Sequence, residues 1–549
     1  MADGEGLKVS DVDQSSISES SSTDEHQQID YVKVNGANGY HEKDIQEDKN
    51  SSNSLGKIAS YKELILFIST TIIIWLSEPL LSLVDTTIVG KFASNSKNII
   101  QGVAPETIQL AALGPATMLC DNAFYLTYFL AMATTNQLAT ASAKNDEKLQ
   151  VKTTSHALGV ASILGLIISA VIFTSGGTLL QYILGSEGAM VNGLDLTKPV
   201  INFSWDYTKI RGILAPLTIM GMIAQSVSLA TLDTRTPALA VLVASIVNVV
   251  GDIFLVAKVG MGLRGAAIAT AAAGAASSLV LIRESKRKVD KWQKSDTKEK
   301  RPFVSLPDPK SFISLVKLAG PIFFVILGKL VCYSAMTLKA SDFGMLSLTT
   351  HNIMLRVFFF FCTFGDSFSL AAQSFLPKVL YGNSEVSTTE TNEIEEETRQ
   401  AIVPKENTDV AKTLLKRIFT LASAMALTNS NLARQILKRG GSFFTNDSTI
   451  LQLLGDPARV FYLMGSVLLH PLIMTMEGSI LATRDLGFLV SAYFFTMGTM
   501  LSLLKFSTNS FTEVWRALFT FQAIRTITFG ARVFQKTRSK KKTRITGNA

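Results

Sequence analysis

The stretch SEPLLSLVDTTIVGKF, residues 77–92, places two carboxylates inside an apolar run that begins near Leu64. A charged side chain at the centre of a bilayer costs at least about 2.5 kcal/mol, so it is kept where it faces protein or a water-filled path. Glu78 and Asp85 are seven residues apart, so on an α-helix they point in nearly the same direction. Pro79 is predicted to kink the helix beside them. We therefore predict a transmembrane helix with a functional carboxylate at Asp85.

The composition extends this prediction to the whole chain. Of 549 residues, 47% are hydrophobic and only 17% are charged, and the mean hydropathy is +0.28. These values are typical of a polytopic helical membrane protein. The three cysteines lie in apolar segments without metal-ligand spacing, which argues against disulfides and against a zinc site.

The net charge of +8 is unevenly distributed. Residues 1–57 carry 12 acidic residues against five lysines, so the rest of the chain has a net charge of +15. This acidic, serine-rich stretch has no apolar core of signal-peptide length and does not resemble an arginine-rich transit peptide. We expect residues 1–57 to form a disordered cytosolic tail.

Twelve apolar segments of membrane-spanning length follow this tail. They lie at roughly residues 64–92, 108–142, 157–184, 207–232, 238–256, 265–282, 312–340, 350–378, 411–437, 459–482, 488–504 and 515–534. The ninth contains a short apolar run followed by polar residues at 428–431, which fits either a short, protein-covered span or an interfacial helix. The predicted fold class is an all-α polytopic membrane protein with twelve transmembrane helices.

A basic stretch, Arg283 to Arg301, divides these segments into two groups of six. Because short basic loops stay in the cytosol, this stretch and both termini are predicted to be cytosolic. The predicted organisation is an amino-terminal lobe at 58–282, a basic loop at 283–310, a carboxy-terminal lobe at 311–534 with a polar insert at 382–410, and a basic tail at 535–549. The basic tail favours anionic lipid over nucleic acid as its partner.

A short repeat relates the two lobes. The sequence Leu-Ala-Thr-x-Asp ends at Asp233 and again at Asp485, an offset of 252 residues, in the fourth segment of each lobe. Parallel repeats of an even number of helices give two lobes related by a pseudo-two-fold axis along the membrane normal. Such lobes enclose a substrate path between or within them.

Four motifs together resemble the multidrug and toxic compound extrusion (MATE) transporters, in the branch of the bacterial DNA-damage-inducible F type and the plant defence-linked exporters of the salicylate pathway. They are EPLLSLVDTTIVGKF (78–92), NVVGD (248–252), GDSFSLAAQSFLPKVLYG (365–382) and EGSILATRDLG (477–487). The resemblance implies a two-lobed antiporter that exports organic solutes in exchange for H⁺ or Na⁺. It also implies cation-coupling residues at Asp85, Asn248 and Asp252.

The spacing of these residues is compatible with that role. Asn248 and Asp252 are four residues apart, so they lie on one face of the fifth helix. Together with Asp85 they can hold a sodium ion or share a proton, whereas the alternative is that Asp252 is solvated near the helix end. Glu78 belongs to the same pocket or caps the kink at Pro79.

Lys329 lies deep in an apolar segment of the second lobe and needs a partner. It either forms an internal ion pair with Asp366 or Glu477 or meets the carboxylate of an organic acid substrate. Other polar residues inside helices either join helices or line the path; they are Asp121, Asn122, Asn136, Gln137 and Gln373.

We therefore predict a secondary active antiporter, expected to be monomeric, whose partners are a small-molecule substrate, a coupling cation and the bilayer. No cofactor is expected beyond H⁺ or Na⁺. The alternatives are a flippase for lipid-linked precursors of the same superfamily and a receptor-like homologue that does not transport. The sequence has no reactive pair or metal motif typical of a membrane enzyme. The membrane itself, whether plasma membrane, vacuole or plastid envelope, stays open.

Overall fold

The computed structural model describes residues 58–92, 105–184, 190–191, 194–294, 301–381, 405–439 and 448–538. The acidic tail 1–57 and most of the predicted insert and basic tail lie outside these residues. Helices dominate the described part, which also contains a pair of two-residue antiparallel strands, β1 (Met190–Val191) and β2 (Leu194–Asp195).

The first lobe contains eight helices. They are α1 (Tyr61–Phe92), α2 (Pro105–Leu126), α3 (Tyr128–Ala143), α4 (Glu147–Leu184), α5 (Thr197–Ile213), α6 (Ala215–Ala230), α7 (Arg235–Asp252) and α8 (Leu263–Lys294). A π-helical segment, Ile253–Lys258, continues α7 directly after Asp252.

The second lobe contains seven helices. They are α9 (Pro309–Ser341), α10 (Met345–Tyr381), α11 (Lys405–Arg439), the short α12 (Ser448–Gly455), α13 (Pro457–Ala482), α14 (Leu486–Phe506) and α15 (Phe511–Arg538). In the described part of the chain, eight helices are long and apolar enough to cross a membrane, and α5 with α6 would make nine. Large apolar side chains remain exposed on several of them, as expected of surfaces that face lipid; examples are Ile73, Leu166, Leu242 and Phe495.

The twelve predicted segments correspond to these helices, but two of them are interrupted. The second segment breaks at Thr127, between α2 and α3, and the fourth breaks at Leu214, where α5 and α6 meet at 55°. Pro216 follows the second break and lacks the amide hydrogen that an uninterrupted helix would use. Pro79, in contrast, lies inside α1, which continues without a break.

Two predicted boundaries were wrong. The basic loop predicted from residue 283 begins later, because α8 continues to Lys294. This extension is held by packing, since Val289 is buried and Trp292 packs against a cluster of Leu138, Ala139, Val227 and Ala230. The ninth segment is longer than predicted, because α11 is a continuous helix of 35 residues. Two residues of its polar stretch face protein: Asn429 is buried, and Ser430 Oγ donates to the Met464 carbonyl of α13 at 3.0 Å. The other two, Thr428 and Asn431, are exposed.

The repeat found in the sequence is also a structural repeat. The α6–α7 and α13–α14 turns each contain a residue with positive φ, Leu232 at 64° and Arg484 at 54°, again 252 positions apart. In both turns the next amide, that of Asp233 or Asp485, donates to the carbonyl five residues earlier, at 2.9 and 3.1 Å. This pattern closes a helix through a left-handed residue. The two lobes therefore share a turn as well as a motif at equivalent positions.

Salt bridges join each of these turns to the last helix of its lobe. Asp233 accepts from Lys288 at 2.9 Å, and Asp485 accepts from Arg532 at 2.7 Å and lies 3.0 Å from Lys536 Nζ. Burial alone would raise the pKa of each aspartate, but hydrogen bonds from these cations and their charge hold both pKa values below the ordinary range. The two lobes thus carry equivalent ion pairs.

Candidate functional site

Three buried oxygen-bearing side chains lie in the first lobe on two helices. Asp85 belongs to α1, and Asn248 and Asp252 belong to α7, where Asp252 is the last residue before the π-helical segment. All three are at least nine-tenths buried, and Asp252 lies close enough to Asp85 for their carboxyl groups to interact. The structure therefore brings together the three residues implied by the family resemblance.

A fourth residue, Thr270 of α8, joins this group. Its hydroxyl lies 3.1 Å from Asp85 Oδ2 and 3.5 Å from Asn248 Nδ2. Close packing of α7 on α8 makes this possible, because a Cβ added to Gly251 would lie 2.8 Å from the Cβ of Ala269. Thr270 is not among the predicted site residues, although a lone hydroxyl in the alanine-rich run 266–273 is a weak signal for one.

Four oxygens of this group have no hydrogen-bond partner in the described residues. They are Asp85 Oδ1, Asn248 Oδ1 and both carboxylate oxygens of Asp252. Buried polar atoms are nearly always satisfied, so orphaned oxygens that converge on one place indicate a ligand. A hydrogen ion or a hard metal cation is the ligand that such an all-oxygen group suits.

A cavity in the first lobe adjoins this group. It leaves about 340 Å³ for the centres of water molecules, and its lining includes Glu78, Asp85, Asp121, Arg211 and Asn248. Glu78 and Asp85 thus face one space, as their spacing predicts. Arg211, which sequence analysis did not consider, donates to Asp121 at 2.9 Å.

The second lobe holds a different arrangement. Glu477 accepts from Lys329 at 2.8 Å, from Arg525 at 2.7 Å and from the Tyr493 hydroxyl at 2.5 Å. Glu477 and Arg525 are completely buried, and 15% of the Lys329 side chain is exposed. Of the two arrangements foreseen for Lys329, the internal ion pair with Glu477 is present. Arg525 was missed, although a charge in the middle of the twelfth predicted segment is a signal of the same kind as Lys329.

The remaining predicted residues lie where the lobes meet or near it. Asn136 Nδ2 donates to Gln373 Oε1 at 2.9 Å, which joins α3 to α10 across the lobes. Nearby, the ring centroids of Phe67 on α1 and Phe375 on α10 lie 5.2 Å apart. Gln373 also lines a smaller cavity between the lobes, whereas Gln137 is not among the residues lining either this cavity or that of the first lobe.

This fold and this site define a class of protein: a two-lobed helical membrane protein with a group of buried carboxylates in its first lobe. Comparison with known proteins gives the same class. No family model matches the chain. Protein DETOXIFICATION 47, chloroplastic, of Arabidopsis thaliana is 28% identical over 436 residues, which cover 78% of this chain and 69% of that protein. DNA damage-inducible protein F of Escherichia coli (strain K12) is 29% identical over 206 residues, 37% of this chain and 39% of that protein.

Solved structures share the fold. An outward-facing conformation of a multidrug resistance MATE family transporter of the MOP superfamily matches with a TM-score of 0.68 and 16% identity, covering 88% of this chain and 98% of that one. MATE in the bent conformation matches with a TM-score of 0.66 and 15% identity, covering 87% and 95%. The predicted resemblance to MATE transporters and the predicted twelve-helix, two-lobed fold are therefore confirmed. The chain is an integral membrane protein, and its relatives indicate a membrane efflux transporter rather than an enzyme.

Proposed function

We propose that the protein is a secondary active antiporter that exports small organic molecules, either xenobiotics or organic and aromatic acids, in exchange for H⁺ or Na⁺. The observation that carries this proposal is the set of four buried oxygens on Asp85, Asn248 and Asp252 to which no group in the described residues donates a hydrogen bond. Such a set is costly unless it takes up a cation during the working cycle. Thr270 completes the group and orients Asp85.

Helix α1 supplies a physical link between cation and substrate. Asp85 lies in its second half, whereas Phe67 in its first half packs against Phe375 of the second lobe. A cation bound at Asp85 changes the balance between positions of α1, and thereby the contact between the lobes. Exchange requires that cation and substrate favour different states, because a ligand shifts an equilibrium only by its differential affinity.

Two other functions compete with this one. A flippase for lipid-linked precursors would need unpaired basic residues to hold a pyrophosphate. Arg211 and Arg525 do add basic groups to Lys329, but Arg211 is paired with Asp121 and Arg525 is completely buried against Glu477. Of these three, Lys329 alone keeps an exposed part, which is too little positive charge for a pyrophosphate. A receptor-like homologue would bind a small molecule without moving it.

Reconstituted vesicles test the proposal. Efflux of ethidium, an organic cation, and of radiolabelled benzoate is measured under an imposed pH gradient and, separately, under a sodium gradient. The proposal expects that one gradient drives at least one of these probes against its own gradient. Binding of the probes without transport under either gradient would favour the receptor-like alternative.

A further inference from the structure

The cavity between the lobes, here called the inter-lobe cavity, presents charges of both signs. It leaves about 110 Å³ for the centres of water molecules, enough for several waters and therefore for part of a small organic molecule. Lys329 and Asp366 both line it. No salt bridge joins these two side chains, so Lys329 does not neutralise the carboxylate of Asp366.

The Lys329 end of the cavity is positive. Lys329 and Arg525 share one carboxylate, that of Glu477, so this buried triad has a surplus of one positive charge. Arg525 is completely buried behind Glu477, and Lys329 is the cation that lines the cavity. An ammonium group has three donors, and hydrogen bonding to Glu477 uses one of them. The others are available to an acceptor in the cavity.

The Asp366 end is negative. Nearly half of this side chain is exposed, 46%, although it lies in the middle of α10. In the described part of the chain, the basic group within 4 Å of this carboxylate is His470, whose Nε2 lies 3.8 Å from Asp366 Oδ1, beyond hydrogen-bond distance. A half-exposed carboxylate inside a membrane protein is suited to a cationic ligand group.

Aromatic side chains form part of the wall of the same cavity. Tyr125 and Tyr128 stack with ring centroids 6.4 Å apart, and Trp75 meets Tyr128 edge to face at 5.6 Å. Trp75 and Tyr128 also line the first-lobe cavity, so these two side chains lie between the two cavities. This wall suits an aromatic ring, which stacks or packs edge to face with such residues.

We propose that the inter-lobe cavity recognises a small aromatic zwitterion, with its carboxylate on Lys329, its ammonium on Asp366 and its ring against Tyr128. This inference rests on the proposed transport function and names its substrate class. A cavity with one positive and one negative end favours a ligand that is neutral overall but carries both charges, because a singly charged ligand leaves one end unpaired.

Three compounds with the same phenyl ring test this inference. Calorimetric titration of the purified protein in nanodiscs at neutral pH compares L-phenylalanine with phenethylamine, which lacks the carboxylate, and 3-phenylpropionate, which lacks the ammonium. Phenylalanine is expected to bind at least about tenfold more tightly than either, the effect of one charge-assisted hydrogen bond. Equal binding of phenylalanine and either singly charged compound, or no binding of phenylalanine, overturns the inference.

Two variants assign the charges. In Lys329→Gln, phenylalanine should bind no better than phenethylamine; in Asp366→Asn, it should bind no better than 3-phenylpropionate. Lys339→Gln is the matched control, because Lys339 lies on the same helix but pairs with Asp342 outside the cavity, and it should change nothing. If both cavity variants keep the wild-type preference, the assignment is wrong. Should Lys329→Gln aggregate, the wild-type comparison still decides the inference.

Failure of this inference and failure of antiport can be told apart, because the titration uses no gradient. Gradient-driven export of ethidium by a protein without a phenylalanine preference overturns the inference and leaves antiport standing. If the protein prefers phenylalanine but exports nothing under either gradient, the inference about the cavity stands and antiport is overturned.

Discussion

The buried carboxylates of the two lobes differ in their hydrogen-bond partners. In the second lobe, Glu477 accepts hydrogen bonds from two cations and a tyrosine, all supplied by the chain itself. In the first lobe, Asp85 has only a threonine hydroxyl, and both oxygens of Asp252 lack a hydrogen-bond partner in the described residues. The turns at Leu232 and Arg484 nevertheless show that the lobes are built on one plan.

This difference separates two roles. A carboxylate with two internal cations is already neutralised, so it contributes to structure and has little to gain from an external cation. Carboxylates without cations are satisfied only when a cation arrives. We therefore infer that the first lobe senses the driving ion and that the Glu477 cluster fixes the shape of the second lobe, and the following predictions test this division.

The largest loss of stability is expected for Arg525→Met. This change leaves the buried Glu477 with Lys329 and Tyr493 and removes its second cation. Losing a buried hydrogen bond between charged groups costs about 1.5–3 kcal/mol. The apparent unfolding temperature of the purified protein should fall sharply. Arg211→Met is the matched control in the first lobe: its partner Asp121 is half exposed, so the drop should be much smaller. Equal drops in the two variants would contradict the division between lobes.

A smaller loss of stability is expected for Gly251→Ala. The added methyl would lie 2.8 Å from the Cβ of Ala269, and such overpacking costs about 1–3 kcal/mol. It should separate α7 from α8 and weaken gradient-driven export more than it lowers expression. Gly177→Ala, where an added Cβ meets nothing within 4 Å, should be neutral or slightly stabilising. Normal export by Gly251→Ala would show that this close packing does not position the site.

Thr270→Val should have a moderate, local effect. Valine keeps the shape but removes the hydroxyl near Asp85, and one hydrogen bond contributes about 0.5–1.5 kcal/mol. The concentration of the driving ion needed for half-maximal export should rise by roughly three- to tenfold. Thr270→Ser keeps the hydroxyl, so this concentration should return to the wild-type value. If Thr270→Val also has the wild-type value, Thr270 does not belong to the ion site.

The smallest effect concerns the paired turns at Asp233 and Asp485. Their pKa values are lowered in the folded protein, so the stability they contribute is present above the unfolded pKa near 4 and lost as pH falls through the folded values. Each pair should contribute no more than about 1 kcal/mol. The double variant Asp233→Asn, Asp485→Asn should be less stable at neutral pH and lose less stability on acidification below about pH 4. An unchanged acid-unfolding profile would show that these pairs do not contribute.

Much of this fold was predictable because its signals are local. Apolar length located the twelve segments, and the repeat ending at Asp233 and Asp485 related the lobes. Thr270 and Arg525 were missed because their importance comes from partners 185 and 48 residues away, Asp85 and Glu477. The break at Thr127 and the full length of α11 were missed for a related reason, because tertiary packing decides where a helix is interrupted and which polar face is covered.

The most direct test measures how strongly purified protein binds ethidium as pH and sodium are varied, in wild type, Asp85→Asn and Asp366→Asn. Coupling between two ligands is typically worth roughly 1–3 kcal/mol, or about 5- to 150-fold in affinity. The wild type should show such a dependence on one of the two ions. Asp85→Asn should bind with an affinity that no longer responds to either ion, whereas Asp366→Asn, the same chemical change in the second lobe, should keep the response. A full response in Asp85→Asn would contradict the assignment of cation sensing to the first lobe.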